Sequence, residues 1–137
     1  EYNYLIENYR GSEEAMDAFM YVADKLKKDG RTAEADRWYE DAESYYKQMA
    51  TVGAGGPLEG KAMLYQAELA RVRGDLAGAA KTLTKLFDVF PNTEPGRRAL
   101  VKASLIYRRD LGQPDVADSL IDVLRASIAD LLPETET

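Results

Sequence analysis

The sequence predicts an all-α chain, a stack of antiparallel helical hairpins. Three observations carry this. Apolar residues recur at spacings of three and four almost throughout, the repeat of a helix with one buried side. Scarcely any stretch alternates apolar and polar residues as a half-buried strand would. Turn-forming residues then cut the chain at helix-length intervals: Gly11-Ser12, Asp29-Gly30, Gly53 to Pro57, Arg73-Gly74, Pro91-Asn92 and Gly112-Gln113-Pro114.

Taken in order, the first predicted helix covers 1–9, with Tyr2, Leu5, Ile6 and Tyr9 on one side. It has no preceding helix to complete a hairpin, so Tyr2, Leu5 and Ile6 are expected to pack end-on against further repeats or another subunit. Helix 13–28 carries Phe19, Val22, Ala23 and Leu26, and helix 32–50 carries Trp38, Ala42 and Tyr45. Adjacent residues on a helix lie about 100° apart, so only one of Tyr45 and Tyr46 is expected to face inward. Helix 58–73 follows the glycine-rich link with Met63, Ala67 and Ala70, and helix 76–90 carries Leu83, Leu86 and Phe87. Helix 95–110 leads to a last helix, 114–131, whose stripe is Leu120, Val123, Leu124 and Ile128. Pro133 stops it and leaves a polar tail over 132–137.

The chain has 137 residues, 45% of them apolar and 31% charged, which fits one folded domain or a few repeats sharing a core. No apolar run approaches the roughly 20 residues of a membrane-spanning helix. The 18 basic and 24 acidic side chains are interspersed for a net charge of −6, whereas a nucleic-acid binder would show an unbalanced basic face. Absence of Cys and His removes thiolate nucleophiles, imidazole bases and most transition-metal sites. No cofactor is expected. A first residue of Glu1 rather than Met is expected of a trimmed chain or of part of a longer polypeptide.

Gly30, Gly74 and Gly112 each separate two predicted helices, 44 and 38 residues apart, which gives a repeat of about 40 residues. Counted from these glycines, the position seven earlier holds Ala23, Ala67 or Leu105, and eleven earlier Phe19, Met63 or Val101. Five later come Ala35, Ala79 and Ala117; nine later come Tyr39, Leu83 and Ile121. Small residues so placed let two helices approach closely, and the large ones fill the space between hairpins. Units run over approximately 12–50, 58–92 and 94–131, with 1–10 as the end of a preceding unit.

With "KAMLYQAELARVRGDLAGAAKTLTKLFDVFPN", residues 61 to 92, the chain resembles the tetratricopeptide-repeat family: small Ala67, turn Gly74, Ala79 and helix-ending Pro91. In the outer units Leu105 replaces the small residue, and Lys47 and Ala129 stand where the family places its terminal Pro. The resemblance implies a right-handed α-solenoid of about three hairpins plus the preceding half-hairpin. The links "ENYRGSEEA" and "DVFPNTEPGRRA" share an aromatic helix end followed by an N-cap hydroxyl, Ser12 or Thr93. That phrase looks like bacterial extracytoplasmic members of the family, so a periplasmic or surface location is the expectation.

The stretch "GGPLEGKA", residues 55 to 62, is one residue from a phosphate-binding loop. A working loop needs a strand before it and a Ser or Thr hydroxyl for Mg²⁺. Here helix-forming sequence precedes it, and Ala62 occupies the hydroxyl position. The acidic run Glu40, Asp41 and Glu43 points in successive directions around its helix, so a solvated face is the better reading than a metal or acid–base cluster.

These readings point to binding, not catalysis. The family resemblance implies a groove lined by the first helix of each hairpin: Asp17, Met20, Asp24 and Lys27, then Lys61, Leu64, Glu68 and Arg71, then Lys102, Ile106 and Arg109. Its mixed polarity suits a peptide or a partner helix. A second class stays open, a structural subunit that packs end-on in a homo-oligomer, a filament or a larger membrane-associated complex.

Overall fold

The computed structural model describes residues 13–52 and 54–131, and among these there is no strand. Six α-helices follow in order: α1 (Glu13–Lys28), α2 (Thr32–Val52), α3 (Pro57–Val72), α4 (Leu76–Val89), α5 (Glu94–Leu105) and α6 (Pro114–Leu131). A π-helical turn, Ile106–Asp110, extends α5. The all-α reading therefore holds, with helix ends within about two residues of those expected except at the C-terminal end of α5. Helix 1–9, with Tyr2, Leu5 and Ile6, lies outside the described residues, as do Ser12 and the tail 132–137.

The chain divides into two compact units after Leu69, within α3. In the first, α1 and α2 form a hairpin across the short turn at Asp29–Arg31. Between them Phe19 meets Trp38 and Tyr45, with ring centroids 5.8 and 4.9 Å apart. Ala23, Ala35 and Ala42 are fully or nearly fully buried, which lets the backbones approach closely. In the second unit α4 packs on α5 and α5 on α6. Ala79, Ala80, Leu83, Leu86 and Phe87 from α4 are buried, as are Ala99, Leu100 and Ala103 from α5 and Ala117 from α6.

What ends each first helix fixes its register. Gly30 and Gly74 adopt φ of +81° and +90°, a left-handed conformation that glycine enters without a Cβ clash. The following N–H then folds back across the last turn, Arg31 to the Leu26 carbonyl (2.9 Å) and Asp75 to that of Ala70 (2.8 Å). Gly30 and Gly74 bond three residues back, to Lys27 (3.1 Å) and Arg71 (3.0 Å). These paired bonds satisfy carbonyls that the helix end leaves open.

Gly112 (φ +62°) closes α5 differently. Gln113 N–H reaches the Tyr107 carbonyl (2.8 Å), one residue further back than its counterparts, and Leu111 reaches Ile106 (3.0 Å). One extra residue is thus held in the π-turn. The expected α-helix over 95–110 gives way to this turn at Ile106.

This insertion shifts by one residue the alignment expected for the third unit. Residues of α5 that precede it sit one position earlier, relative to the turn glycine, than the α-helical count allows. Leu100 (2% exposed) and Ser104 (4%) take the buried positions, while Val101 (40%) and Leu105 (38%) face outward. Leu100 thus corresponds to Phe19 and Met63, and Ser104 to Ala23 and Ala67, all buried. The apparent misfit of Leu105 at a small-residue position disappears.

The α4–α5 connection is equally specific. The Thr93 hydroxyl donates to the Phe90 carbonyl (2.8 Å) and accepts from the Gly96 N–H (3.1 Å), which makes it the expected N-cap. A Cβ on Gly96 would lie 2.0 Å from the Phe90 carbonyl oxygen, a backbone atom with no rotamer to yield. Gly96→Ala is therefore expected to cost upward of about 2 kcal/mol in urea unfolding, although alanine is the better helix former by about 1 kcal/mol. A neutral or stabilising result would show that the turn relaxes.

Candidate interaction surface

In the first unit, three tyrosine hydroxyls tie neighbouring elements together. Tyr46 is buried and donates to the Met16 carbonyl (2.7 Å). Tyr39 donates to the Asp24 carboxylate (2.9 Å), and Tyr65 of α3 donates to that of Asp17. Tyr46 also lies against Tyr65 (5.4 Å between ring centroids) and Tyr45 (6.4 Å).

Tyr45 and Tyr46 are both buried, which corrects the expectation that one faces solvent. The reason is that α2 is covered on two sides: Tyr45 meets Phe19 of α1, and Tyr46 meets Tyr65 of α3. Two packed sides widen the buried arc beyond the single stripe of an amphipathic helix.

The sequence-derived groove residues fall into three groups. Asp17 (exposed) and Asp24 (half-buried) accept phenol hydrogens, so these carboxylates brace the fold as well as facing outward. Met20 is buried and belongs to the core, whereas Lys27 is exposed. On α3, Lys61, Leu64 and Glu68 are half-buried and Arg71 is exposed.

On α5 the π-turn changes the assignment. Ile106 is buried and leaves the expected groove, while Val101 and Leu105 are exposed together with Arg98 and Arg108. Lys102 and Arg109 are exposed as well. Arg98 approaches Glu94 (3.6 Å), and Arg108 pairs with Asp118 of α6. Arg98, Val101 and Leu105 succeed one another at helical spacing on the α-helical part, so two aliphatic side chains one turn apart follow a guanidinium group, and the π-turn beyond them carries Arg108 and Arg109. Sequence reasoning missed Arg98, Val101, Leu105 and Arg108 because it counted back from Gly112 as though α5 were α-helical throughout.

The glycine-rich link departs from a phosphate-binding loop in two respects. It joins two helices, α2 and α3, and its Gly55 N–H is taken by the Glu59 carboxylate (2.7 Å), the wrong charge to share with a phosphate. Gly55 has φ +83°, in the left-handed region that favours glycine. Glu40, Asp41 and Glu43 are exposed, and Glu43 pairs with Lys47 (3.3 Å). Among the described residues no three acidic side chains converge on a metal-sized site.

Comparison with protein-family models, with curated proteins and with solved structures finds no match to this chain.

Burial raises the Tyr46 phenol well above the ordinary tyrosine range, with Tyr65, Asp17, Asp24 and Tyr45 adding in the same direction. Its neutral form is therefore favoured in the fold. The stabilisation is complete below the unfolded value near 10 and is lost as pH rises beyond it. Tyr46→Phe is expected to cost about 1 kcal/mol at neutral pH, for the lost hydrogen bond. In compensation it removes a contribution of about 1.4 kcal/mol per pH unit to the loss of stability above pH 10. Urea midpoints of both proteins between pH 7 and 11 measure this, and parallel profiles would contradict it.

Proposed function

We propose that this chain is a non-catalytic protein-interaction scaffold. In this reading its hairpins continue as a right-handed solenoid of the tetratricopeptide type, and the outward faces of the first helices receive a peptide or a partner helix. The observation that carries it is the exposure of Val101 and Leu105 one turn apart on α5, while Leu100, Ala103 and Ser104 on the same helix are buried. Paired aliphatic side chains at helical spacing match the way a groove grips an apolar anchor. The absence of Cys and His from the sequence leaves few groups for catalysis at neutral pH.

A second reading, a structural subunit in a homo-oligomer or larger assembly, is favoured by α6. Its Val116, Val123 and Ile128 are exposed, so the last described helix leaves apolar surface open. An extracytoplasmic bacterial setting belongs with the proposed family and carries no separate structural argument.

Selection of a random peptide library on the immobilised chain tests the scaffold reading. The expected result is a small set of related sequences whose binding falls at least about tenfold on Leu105→Glu, with helicity unchanged. Absence of enrichment over the starting library would overturn it. Sedimentation separates the two readings: association with concentration, abolished by the paired change Val123→Glu and Ile128→Glu, would favour the subunit.

A further inference from the structure

The α5 face has a charge pattern unlike the chain that bears it. Residues 94–110 hold five basic side chains, Arg97, Arg98, Lys102, Arg108 and Arg109, against two acidic ones, Glu94 and Asp110, in a protein of net charge −6. All but Arg97 of the five are exposed. Arg98 and Arg108 are partly engaged by Glu94 and Asp118. Lys102 and Arg109 make no ion pair among the described residues. Val101 and Leu105 are exposed on the same stretch as Arg98, Lys102, Arg108 and Arg109, so this surface strip combines an aliphatic pair with cations.

The π-turn produces this arrangement. With α-helical geometry through to Gly112, Leu105 would take the buried small-residue position and Ile106 would face outward. The extra residue rotates the preceding part of α5 by about 100° relative to that count. It sets Val101 and Leu105 in the strip and buries Ile106.

We propose that this strip docks an acidic amphipathic segment of another protein, with aliphatic side chains one turn apart set on Val101 and Leu105, and with carboxylates facing Lys102 and Arg109. The proposal rests on the scaffold reading above and adds the chemistry of the partner. Charge complementarity selects the sign of the occupant and rejects a basic one, while the aliphatic pair supplies area to bury. A phosphate backbone would satisfy the cations yet leave both aliphatic side chains without an apolar partner. A peptide satisfies both.

The test uses two synthetic peptides of about four helical turns each, with leucines at successive i, i+3 and i+4 positions. One carries glutamates beside the leucines and its twin carries lysines there. Fluorescence anisotropy with the whole chain is expected to show binding of the glutamate peptide, weakening as salt rises, and at least about tenfold poorer binding of the lysine twin. Leu105→Glu is expected to reduce glutamate-peptide binding at least about tenfold. The paired exposed changes Lys102→Glu and Arg109→Glu are expected to reverse the preference. Equal binding of both peptides, lost on Leu105→Glu, would overturn charge selection and leave the scaffold reading standing. Library-selected peptides that bind unaffected by Leu105→Glu, Val101→Glu or the paired charge reversal would overturn the site alone. Displacement of the glutamate peptide by an equimolar oligonucleotide would overturn the occupant, as would concentration-dependent association of the chain that Leu105→Glu abolishes.

Discussion

A helix can reverse into its neighbour only after the carbonyls of its last turn have found donors, and a left-handed glycine makes that possible after α1, α3 and the π-turn that extends α5. Gly30, Gly74 and Gly112 all have positive φ, and the N–H groups around them fold back onto carbonyls of the preceding turn. This closure fixes where a helix stops. It therefore also fixes which of its side chains face the neighbour, because side-chain direction advances by about 100° per residue. The burial of Phe19 and Ala23, of Met63 and Ala67, and of Leu100 and Ser104 follows from counting back from those three ends.

Much of the fold was legible because its signals are local. Helical periodicity, glycine and proline breaks and the Thr93 cap depend on a few neighbouring residues, and the six described helices begin and end close to where those signals fall. The π-turn was not legible in the same way, since nothing in "IYRRD" announces a hydrogen bond that reaches one residue too far. Its trace was nonetheless present. Leu105 stood at a position for a small residue, with Ser104 immediately before it, and Val101 stood at a core position with Leu100 immediately before it. Two mismatches repaired by the same one-residue shift point to an insertion rather than to divergence.

The candidate surface was legible only in part, and for tertiary reasons. Asp17 is exposed and Asp24 half-buried on α1, but their tyrosine partners lie 48 and 15 residues away and no spacing rule connects them. Tyr46 is buried because Tyr65 of α3 covers it, a contact that the periodicity of α2 cannot contain. The first unit thus uses its aromatic residues and carboxylates to hold three elements together. In the second, the outward strip of α5 is left with aliphatic and cationic side chains, and the proposed docking rests on it.

The outward placement of Val101 and Leu105 requires one residue beyond helical need in the turn before Gly112. Deleting it tests this most directly. Removal of Arg109, which is exposed, is expected to let α5 close with the same bonds as α1 and to cost no more than about 1 kcal/mol in urea unfolding. Removal of Lys27, equally exposed but in a helix with no residue to spare, would rotate the buried side of α1 by about 100° away from α2 and cost at least about 3 kcal/mol. Similar losses from the two deletions would contradict the insertion, and with it the assignment of Val101 and Leu105 to the outward face.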